Sequence, residues 1–280
     1  MCGLRPSLGR VPAYLPSAKD ERPITLQLMS VQGPLARTVD DLRLALAAMS
    51  AGDARDPWWV PAPLTGPPLA RPLRVAMTVN CCGTPAHPAV VAAVRQAGAW
   101  LVDAGFQVEE VEPPSLDEAA RTWELVANDE MRHFMWPAIE RLGDASVRRA
   151  VGFMLDNSPV LDHAAHLQAL AKRSTLIRQW QLFMQRYPLV LTPVSGEPPF
   201  AWGQDVDSPQ SMAGVLRAQE TQFAVPLLGL PAVSVPTGLA DGLPMGVQLI
   251  DQRFREDLVL DAVEVIEARC PPMTPIDPKF

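Results

Sequence analysis

A strand–helix–strand pattern between residues 73 and 112 constrains the fold more than any other part of the sequence. Two short apolar runs, LRVAMTV and FQVEEVE, have the β-branched composition of strands, and they flank the helical stretch HPAVVAAVRQAGAWLVDAG. Short joints on both sides make this a βαβ unit, whose two strands must run parallel. The sequence therefore predicts an α/β fold with a mixed, partly parallel β-sheet flanked by helices.

A second pair of strands is predicted later in the chain, in the runs PAVSVPTG and PMGVQLI. Asp241 and Gly242 lie between them, and these residue types tolerate the positive φ of a tight hairpin turn. A further apolar run, YPLVLTP, predicts a strand that is followed by an open loop to about Pro209.

Local start signals predict several helices. Thr38 is placed to cap a helix with an apolar stripe, and the sequence SLDE from Ser115 has the pattern of a capping box. Ser158 followed by proline predicts the start of a long helix that reaches about residue 187. The opening segment MCGLRPSLGRVPAYLP is predicted to be an irregular loop because glycine and proline punctuate it.

The composition argues against two classes of partner. A net charge of −7, with arginines spread along the chain, argues against nucleic-acid binding. The uncharged stretch FAVPLLGLPAVSVPTGLA approaches the length of a membrane span. Its three prolines would leave backbone groups unpaired in lipid, so we expect no membrane association.

The four cysteines show no C-x-x-C spacing, and the adjacent pair Cys81 and Cys82 cannot easily form a bridge. Reduced thiols are expected, which suits a cytoplasmic protein. No secretory signal pattern occurs at the N-terminus. The sequence also lacks the common nucleotide- and metal-binding motifs, so no cofactor and no metal are expected.

Few residues suggest chemistry by themselves. His163 and His166 are three residues apart on a predicted helix, which could point two imidazoles at a metal, but no third ligand has useful spacing, and a solvated helix face is the favoured interpretation. Ser195 follows a buried strand and suits a hydroxyl that faces a ligand, although no G-x-S-x-G motif surrounds it. Trp202 lies in the open loop and could stack on a ligand or pack on the core.

Five segments, in order, resemble the amidase signature family. They are CGLRPSLGRVP, VQGPLARTVDDLRLALAA, the βαβ unit from LRVAMTV to VEEVEPP, YPLVLTP, and GLPAVSVPTGLADGLPMGVQLI. The resemblance covers nearly all of the chain, and the last motif is long and specific. It implies that residues 1–280 are the C-terminal portion of a single amidase-type domain, an incomplete amidase signature fold.

The resemblance also implies a substrate pocket. In this family the loop before Gly229 lines the pocket for the acyl group, which makes Phe223, Leu228 and Gly229 candidate substrate-binding residues. Thr192, Ser195 and Trp202 are candidates beside them because they lie on or after the YPLVLTP strand.

Family members hydrolyse carboxamides with a Ser–cis-Ser–Lys triad, in which lysine accepts a proton through the bridging serine and the second serine attacks the carbonyl. The triad lies N-terminal to the segment that CGLRPS resembles, and no part of this chain matches it. The three lysines, Lys19, Lys172 and Lys279, all lie in polar or terminal surroundings that favour the charged form. No residue of the chain is therefore expected to be catalytic.

Two interpretations remain open from the sequence. The chain could be the C-terminal part of a carboxamide hydrolase that is inactive alone, or a non-catalytic binding or partner module on an amidase scaffold. Under the first, a small amide is a substrate only once an N-terminal half is supplied. Homo-oligomers or a complementing chain are possible partners because the missing half would leave apolar surface exposed.

Overall fold

The computed structural model describes residues 1–17 and 20–270. Its main feature is a seven-stranded mixed sheet with the order β2-β1-β8-β9-β7-β3-β6, and β4 and β5 form a separate small hairpin. The strands are β1 (Cys2–Arg5), β2 (Leu35–Ala36), β3 (Arg74–Met77), β4 (Asn80–Cys81), β5 (Thr84–Pro85), β6 (Gln107–Glu110), β7 (Leu189–Pro193), β8 (Ala232–Ala240) and β9 (Leu243–Asp251).

Helices cover both faces of the sheet. They are α1 (Ile24–Met29), α2 (Val39–Met49), α3 (Pro88–Asp103), α4 (Leu116–Glu130), α5 (Trp136–Leu142), α6 (Ala145–Asp156), α7 (His163–Arg186), α8 (Gln204–Asp207), α9 (Pro209–Ala218), α10 (Glu220–Leu228) and α11 (Glu256–Glu267). One apolar core lies between the sheet and α2, α3 and α11, and a second lies between the sheet and α4, α7 and α10. No helix in the described part of the chain is both long and apolar enough to cross a membrane.

The predicted βαβ unit is confirmed. β3 runs parallel to β6 on one side and to β7 on the other, while β7, β8 and β9 pair antiparallel. Helix α3 crosses between β3 and β6 and buries Val90, Val94 and Leu101 against the sheet. A parallel strand pair needs such a crossover, which is why this unit could be recognised from local sequence.

The predicted hairpin is also confirmed, and its turn has the expected geometry. Ala240 pairs with Leu243, and the two residues between them, Asp241 and Gly242, have φ values of 51° and 78°. Positive φ at both central positions defines a type I′ turn, whose twist matches that of the flanking strands.

The prediction of a loop at the start of the chain is wrong for residues 2–5. These residues form β1, an inner strand that pairs antiparallel with β2 and with β8, where Gly3 lies opposite Ser234. β8 lies more than two hundred residues away in sequence, so its pairing with residues 2–5 leaves no local signal in the sequence.

The helix starts were predicted with mixed success. Thr38 caps α2 as expected, because its hydroxyl accepts a hydrogen bond from the Asp41 amide at 3.1 Å. Ser115 has a φ of 49° and its side chain makes no capping bond, so the capping box does not form. The long helix begins at His163 rather than near Ser158, and Asp162 caps it by accepting from the Ala165 amide at 2.7 Å.

Candidate functional site

An open cleft of roughly 330 Å³ lies beyond the end of β7, where the chain leaves the sheet. Ser195 lies in its wall, together with Ser234 and Pro236 from β8 and Met245 from β9. Proline, phenylalanine and valine side chains make the walls mainly apolar, and the carboxylate of Glu197 lies among them with the two serine hydroxyls. In α/β proteins ligands bind in crevices outside the carboxyl ends of strands, so this cleft is the candidate functional site.

A chain of hydrogen bonds supports the floor beside this cleft. Gln248 donates from Nε2 to Thr192 Oγ1 at 3.2 Å, and Gln222 donates from Nε2 to Val194 O at 3.0 Å and to Gln248 Oε1 at 3.3 Å. The Thr221 hydroxyl also donates to Val194 O, at 3.1 Å. These bonds fix the backbone that carries Ser195 into the cleft.

Gln222 and Gln248 are site residues that the sequence analysis missed. Each carries an amide within an otherwise apolar segment, TQFAVPLL and MGVQLI, and Gln248 is almost fully buried. Buried amides are rare unless they are hydrogen-bonded, so these polar residues within apolar runs were the signal that could have found them.

A second cavity of roughly 400 Å³ adjoins the cleft through Ser234, which lines both. Arg5, Gln222 and Gln248 supply its polar groups, and Leu4, Val31, Leu35, Val225 and Pro226 contribute apolar wall. The cavity lies between β1 and α10.

The six predicted substrate-binding residues do not all meet in one place. Ser195 lines the cleft, and Thr192 belongs to the hydrogen-bond chain beneath it. Phe223 follows Gln222 directly in α10, but its ring stacks on Trp123 with a centroid separation of 4.7 Å. Trp202 is fully exposed and borders neither the cleft nor the second cavity.

Leu228 and Gly229 lie at the other end of α10, away from the cleft. Leu228 is buried in the core between the sheet and the helices. Gly229 ends the helix with a φ of 67°, a left-handed conformation that glycine adopts without strain. A Cβ at that position would contact Leu8 and the guanidinium of Arg173.

The serines of the cleft have no basic partner in the described residues. The Ser195 hydroxyl accepts from the Glu197 amide at 3.2 Å, and the Ser234 hydroxyl donates to Gly3 O at 3.5 Å. A serine nucleophile needs a base within hydrogen-bond reach. Among the described residues, no base is therefore in place to activate either of these serines.

The two histidines do not belong to a cluster of metal-ligating side chains within the described residues. His166 does not lie on a solvated face as expected, since its Nδ1 lies 2.8 Å from the buried Asp129 carboxylate. Within residues 1–17 and 20–270, no group of three or more metal-ligating side chains converges.

Lys172, the one lysine that the structure describes, pairs with Glu118 at the surface, and Lys19 and Lys279 lie outside the described residues.

The adjacent thiols form no disulfide and differ in their electrostatics. Cys81 lines a third cavity beside Gly196, close to the cleft. A hydrogen bond from Cys82 lowers the pKa of Cys81 to about 7, and the same contact, followed by burial, raises the pKa of Cys82.

Glu124, half-buried in α4, predicts a pH dependence of stability. Burial, and secondly the charge of Glu220, raise its pKa from 4.5 to about 7. The folded state thus holds a proton that the unfolded state loses, so this residue's contribution to stability is present below pH 4.5 and is lost as the pH rises to about 7. We expect Glu124→Gln to flatten the fall in unfolding free energy over this window, measured by urea denaturation at several pH values.

The exposed Glu140 offers a control for that experiment. Glu140→Gln removes the same charge without removing a buried carboxyl group. We expect the unfolding free energy of this variant to fall with pH as steeply as that of the unaltered chain. Equal slopes for Glu124→Gln and Glu140→Gln would contradict the assignment.

Comparison with known proteins identifies the family. The family model described as Amidase matches residues 1–260, and the chain therefore belongs to the amidase family. The indoleacetamide hydrolase of Bradyrhizobium japonicum is 42% identical over 268 residues, which cover 95% of this chain and 57% of that protein. A glutamyl-tRNA(Gln) amidotransferase chain of Moorella thermoacetica is 27% identical, and the match covers 95% of this chain and 58% of that one.

Solved structures agree on the fold. A bacterial aryl acylamidase of the amidase signature family superposes with a TM-score of 0.72 at 23% identity, covering 96% of this chain and 58% of that one. The predicted mixed sheet flanked by helices is thus an amidase signature fold. The chain spans a little over half the length of the curated relatives it matches.

Proposed function

We propose that residues 1–280 are the C-terminal portion of an amidase domain that hydrolyses aryl acetamides. The reaction breaks the C–N bond of a carboxamide with water and gives a carboxylate and an ammonium ion. One observation carries the choice of substrate: the cleft at Ser195 has mainly apolar walls with three polar side chains, those of Ser195, Glu197 and Ser234, which suits a flat apolar group attached to a small polar one. The 42% identity to an indoleacetamide hydrolase supports the same class.

The catalytic triad, in this proposal, comes from a segment outside these 280 residues. The family resemblance implies a Ser–cis-Ser–Lys triad that precedes the segment CGLRPS, and the serines of the cleft lack a basic partner among the described residues. Lys172, the one lysine that the structure describes, pairs with Glu118 at the surface and not with a serine of the cleft. The 280-residue chain is therefore inactive alone.

The substrate-binding roles follow from position. Ser195 contacts the substrate in the cleft, and Thr192 supports the backbone that presents it. Trp202, Phe223, Leu228 and Gly229 remain candidates on the family resemblance, and the first could reach a substrate only across open solvent. We place the protein in the cytoplasm. Its proposed partner is a complementing chain, and neither a nucleic acid nor a membrane.

Complementation tests the proposal directly. The chain is produced alone, and also together with the part of the Bradyrhizobium japonicum indoleacetamide hydrolase that precedes the matched region. Ammonia release from indole-3-acetamide is measured for each. We expect release only from the combination, and labelling by a serine-directed fluorophosphonate only on the added segment.

Two controls sharpen this experiment. The combination with alanine at the nucleophilic serine of the added segment should be silent, and a short aliphatic amide should be a poor substrate. Hydrolysis or single-site labelling of the 280-residue chain alone would contradict its proposed inactivity. A complex that assembles and binds indole-3-acetamide without hydrolysing any amide would favour the non-catalytic binding module.

A further inference from the structure

Arg5 carries a positive charge that no described carboxylate balances. Its Nη2 donates to Met29 O at 2.8 Å, which is its one hydrogen bond to the described residues, and its Nε is buried without an acceptor there. Arg5 as a whole is half-buried, but a buried donor such as its Nε normally has an acceptor, so this arrangement is unusual. Burial, and secondly the charge of Arg173, lower the pKa of Arg5 to about 10, which leaves it protonated at neutral pH.

Arg173 adds a second positive charge near Arg5 and therefore does not neutralise the charge of Arg5. Its Nε donates to Leu227 O at 2.6 Å and its Nη2 to Leu28 O at 3.1 Å, so it caps the carboxyl ends of α10 and α1. The carbonyl dipoles of these helix ends offset part of the positive charge. A neighbouring guanidinium still raises the local potential at Arg5, which favours an anion.

Arg5 lines the second cavity, of roughly 400 Å³, which has room for a ligand. No acidic side chain lines this cavity among the described residues, and Gln222, Gln248 and Ser234 are its uncharged polar groups. The remaining walls are apolar side chains and backbone, contributed by β1, α10 and the segment before β2. One cation, no carboxylate, and largely apolar walls together match a ligand that has an anionic end and an apolar body.

We propose that this cavity binds apolar carboxylates, with the guanidinium of Arg5 receiving the carboxylate and the uncharged side chains of Gln222 and Gln248 lying beside it. Since the cavity shares Ser234 with the cleft, it retains the acid that amide hydrolysis releases; this retention rests on the proposed function, whereas the binding of apolar carboxylates does not. A guanidinium suits a planar carboxylate because it can donate two parallel hydrogen bonds.

A set of matched ligands tests the proposal on the unaltered chain. Phenylacetate, phenylacetamide and phenethylamine have similar size and differ mainly in charge at one end. Their dissociation constants are measured by calorimetry on the 280-residue chain at neutral pH. We expect phenylacetate to bind about tenfold or more tightly than phenylacetamide, and phenethylamine not to bind, because a charge-assisted bond adds at least 1.4 kcal/mol, or about tenfold.

Variants locate the site. Arg5→Gln should reduce the affinity for phenylacetate to that for phenylacetamide, while Arg178→Gln, at an exposed arginine on α7, should not change it. Leu35 lines the cavity with a 75% exposed side chain, so it tolerates substitution even if Arg5→Gln fails to fold. Leu35→Glu should weaken phenylacetate binding and Leu35→Lys should strengthen it.

The outcomes separate this inference from the proposed function. Equal binding of phenylacetate and phenylacetamide, or no effect of either Leu35 variant on phenylacetate, would overturn the inference even if the complemented chain hydrolyses amides. Selective phenylacetate binding that responds to Arg5 and Leu35 would uphold it even if complementation gives no hydrolysis.

Discussion

Glu256→Ala is expected to lower the free energy of unfolding by about 3–5 kcal/mol, because it leaves a buried guanidinium without its counter-charge. Glu256 accepts from Arg10 Nη2 at 2.7 Å and from Arg10 Nε at 3.1 Å, and its other oxygen accepts from the Ser7 amide at 2.8 Å. The exposed fractions of the two side chains are 1% and 0%. Urea denaturation followed by circular dichroism gives the measurement.

The double variant Arg10→Met/Glu256→Leu is the control for this prediction. A buried ion pair has a large desolvation cost, so replacing both partners with apolar side chains should destabilise less than Glu256→Ala alone. The carbonyl groups of Ala62 and Pro63 lose their bonds to Arg10 Nη1 in the double variant, which leaves a residual cost. A loss equal to the sum of the two single substitutions would contradict the assigned coupling.

This ion pair joins three parts of the chain that are distant in sequence. Arg10 belongs to the segment after β1, the carbonyls of Ala62 and Pro63 belong to the proline-rich connector, and Glu256 begins α11. The Phe254 amide also donates to the Ser7 hydroxyl at 2.7 Å. The opening segment is thus held to the last described helix by a buried polar network.

Features with a local signal could be predicted from the sequence. Helix α3 shows its apolar stripe, the β8–β9 turn needs residues that tolerate positive φ, and Thr38 precedes its helix directly. In each case the residues that interact are within a few positions of one another. The same reasoning placed Ser195 after a buried strand, and in the structure Ser195 follows β7, whose residues are all buried.

Features that depend on distant residues could not be predicted in the same way. β1 exists because it pairs with β8, and the second cavity exists because β1 lies beside α10. Arg5 gave no sign that it would lack a carboxylate partner, since arginines in sequence are normally solvated or paired. Likewise the pattern SLDE allowed a capping box, but the left-handed backbone at Ser115 turns its side chain away from that role.

Trp180→Ala is the second large effect that we expect, with a loss of about 3–5 kcal/mol in the free energy of unfolding. Trp180 is fully buried on α7, within the core that α7 shares with α4, α10 and the sheet. Its ring also meets Phe183 edge-on, with a centroid separation of 6.3 Å. Truncation to alanine removes the apolar contacts and leaves a cavity that close-packed helices can only partly collapse.

Trp180→Phe separates the packing contribution from the polar one. The indole Nε1 is buried without a hydrogen-bond acceptor in the described residues, and an unsatisfied buried donor costs about 1–3 kcal/mol. Phenylalanine removes that donor and keeps most of the ring volume, so the two effects oppose each other and the loss should be less than half of that for Trp180→Ala. Urea denaturation measures both losses. A larger loss for Trp180→Phe would contradict this expectation. It would mean that the indole nitrogen has a partner in solution, such as a bound water, and that a polar contact as well as packing holds α7 in place.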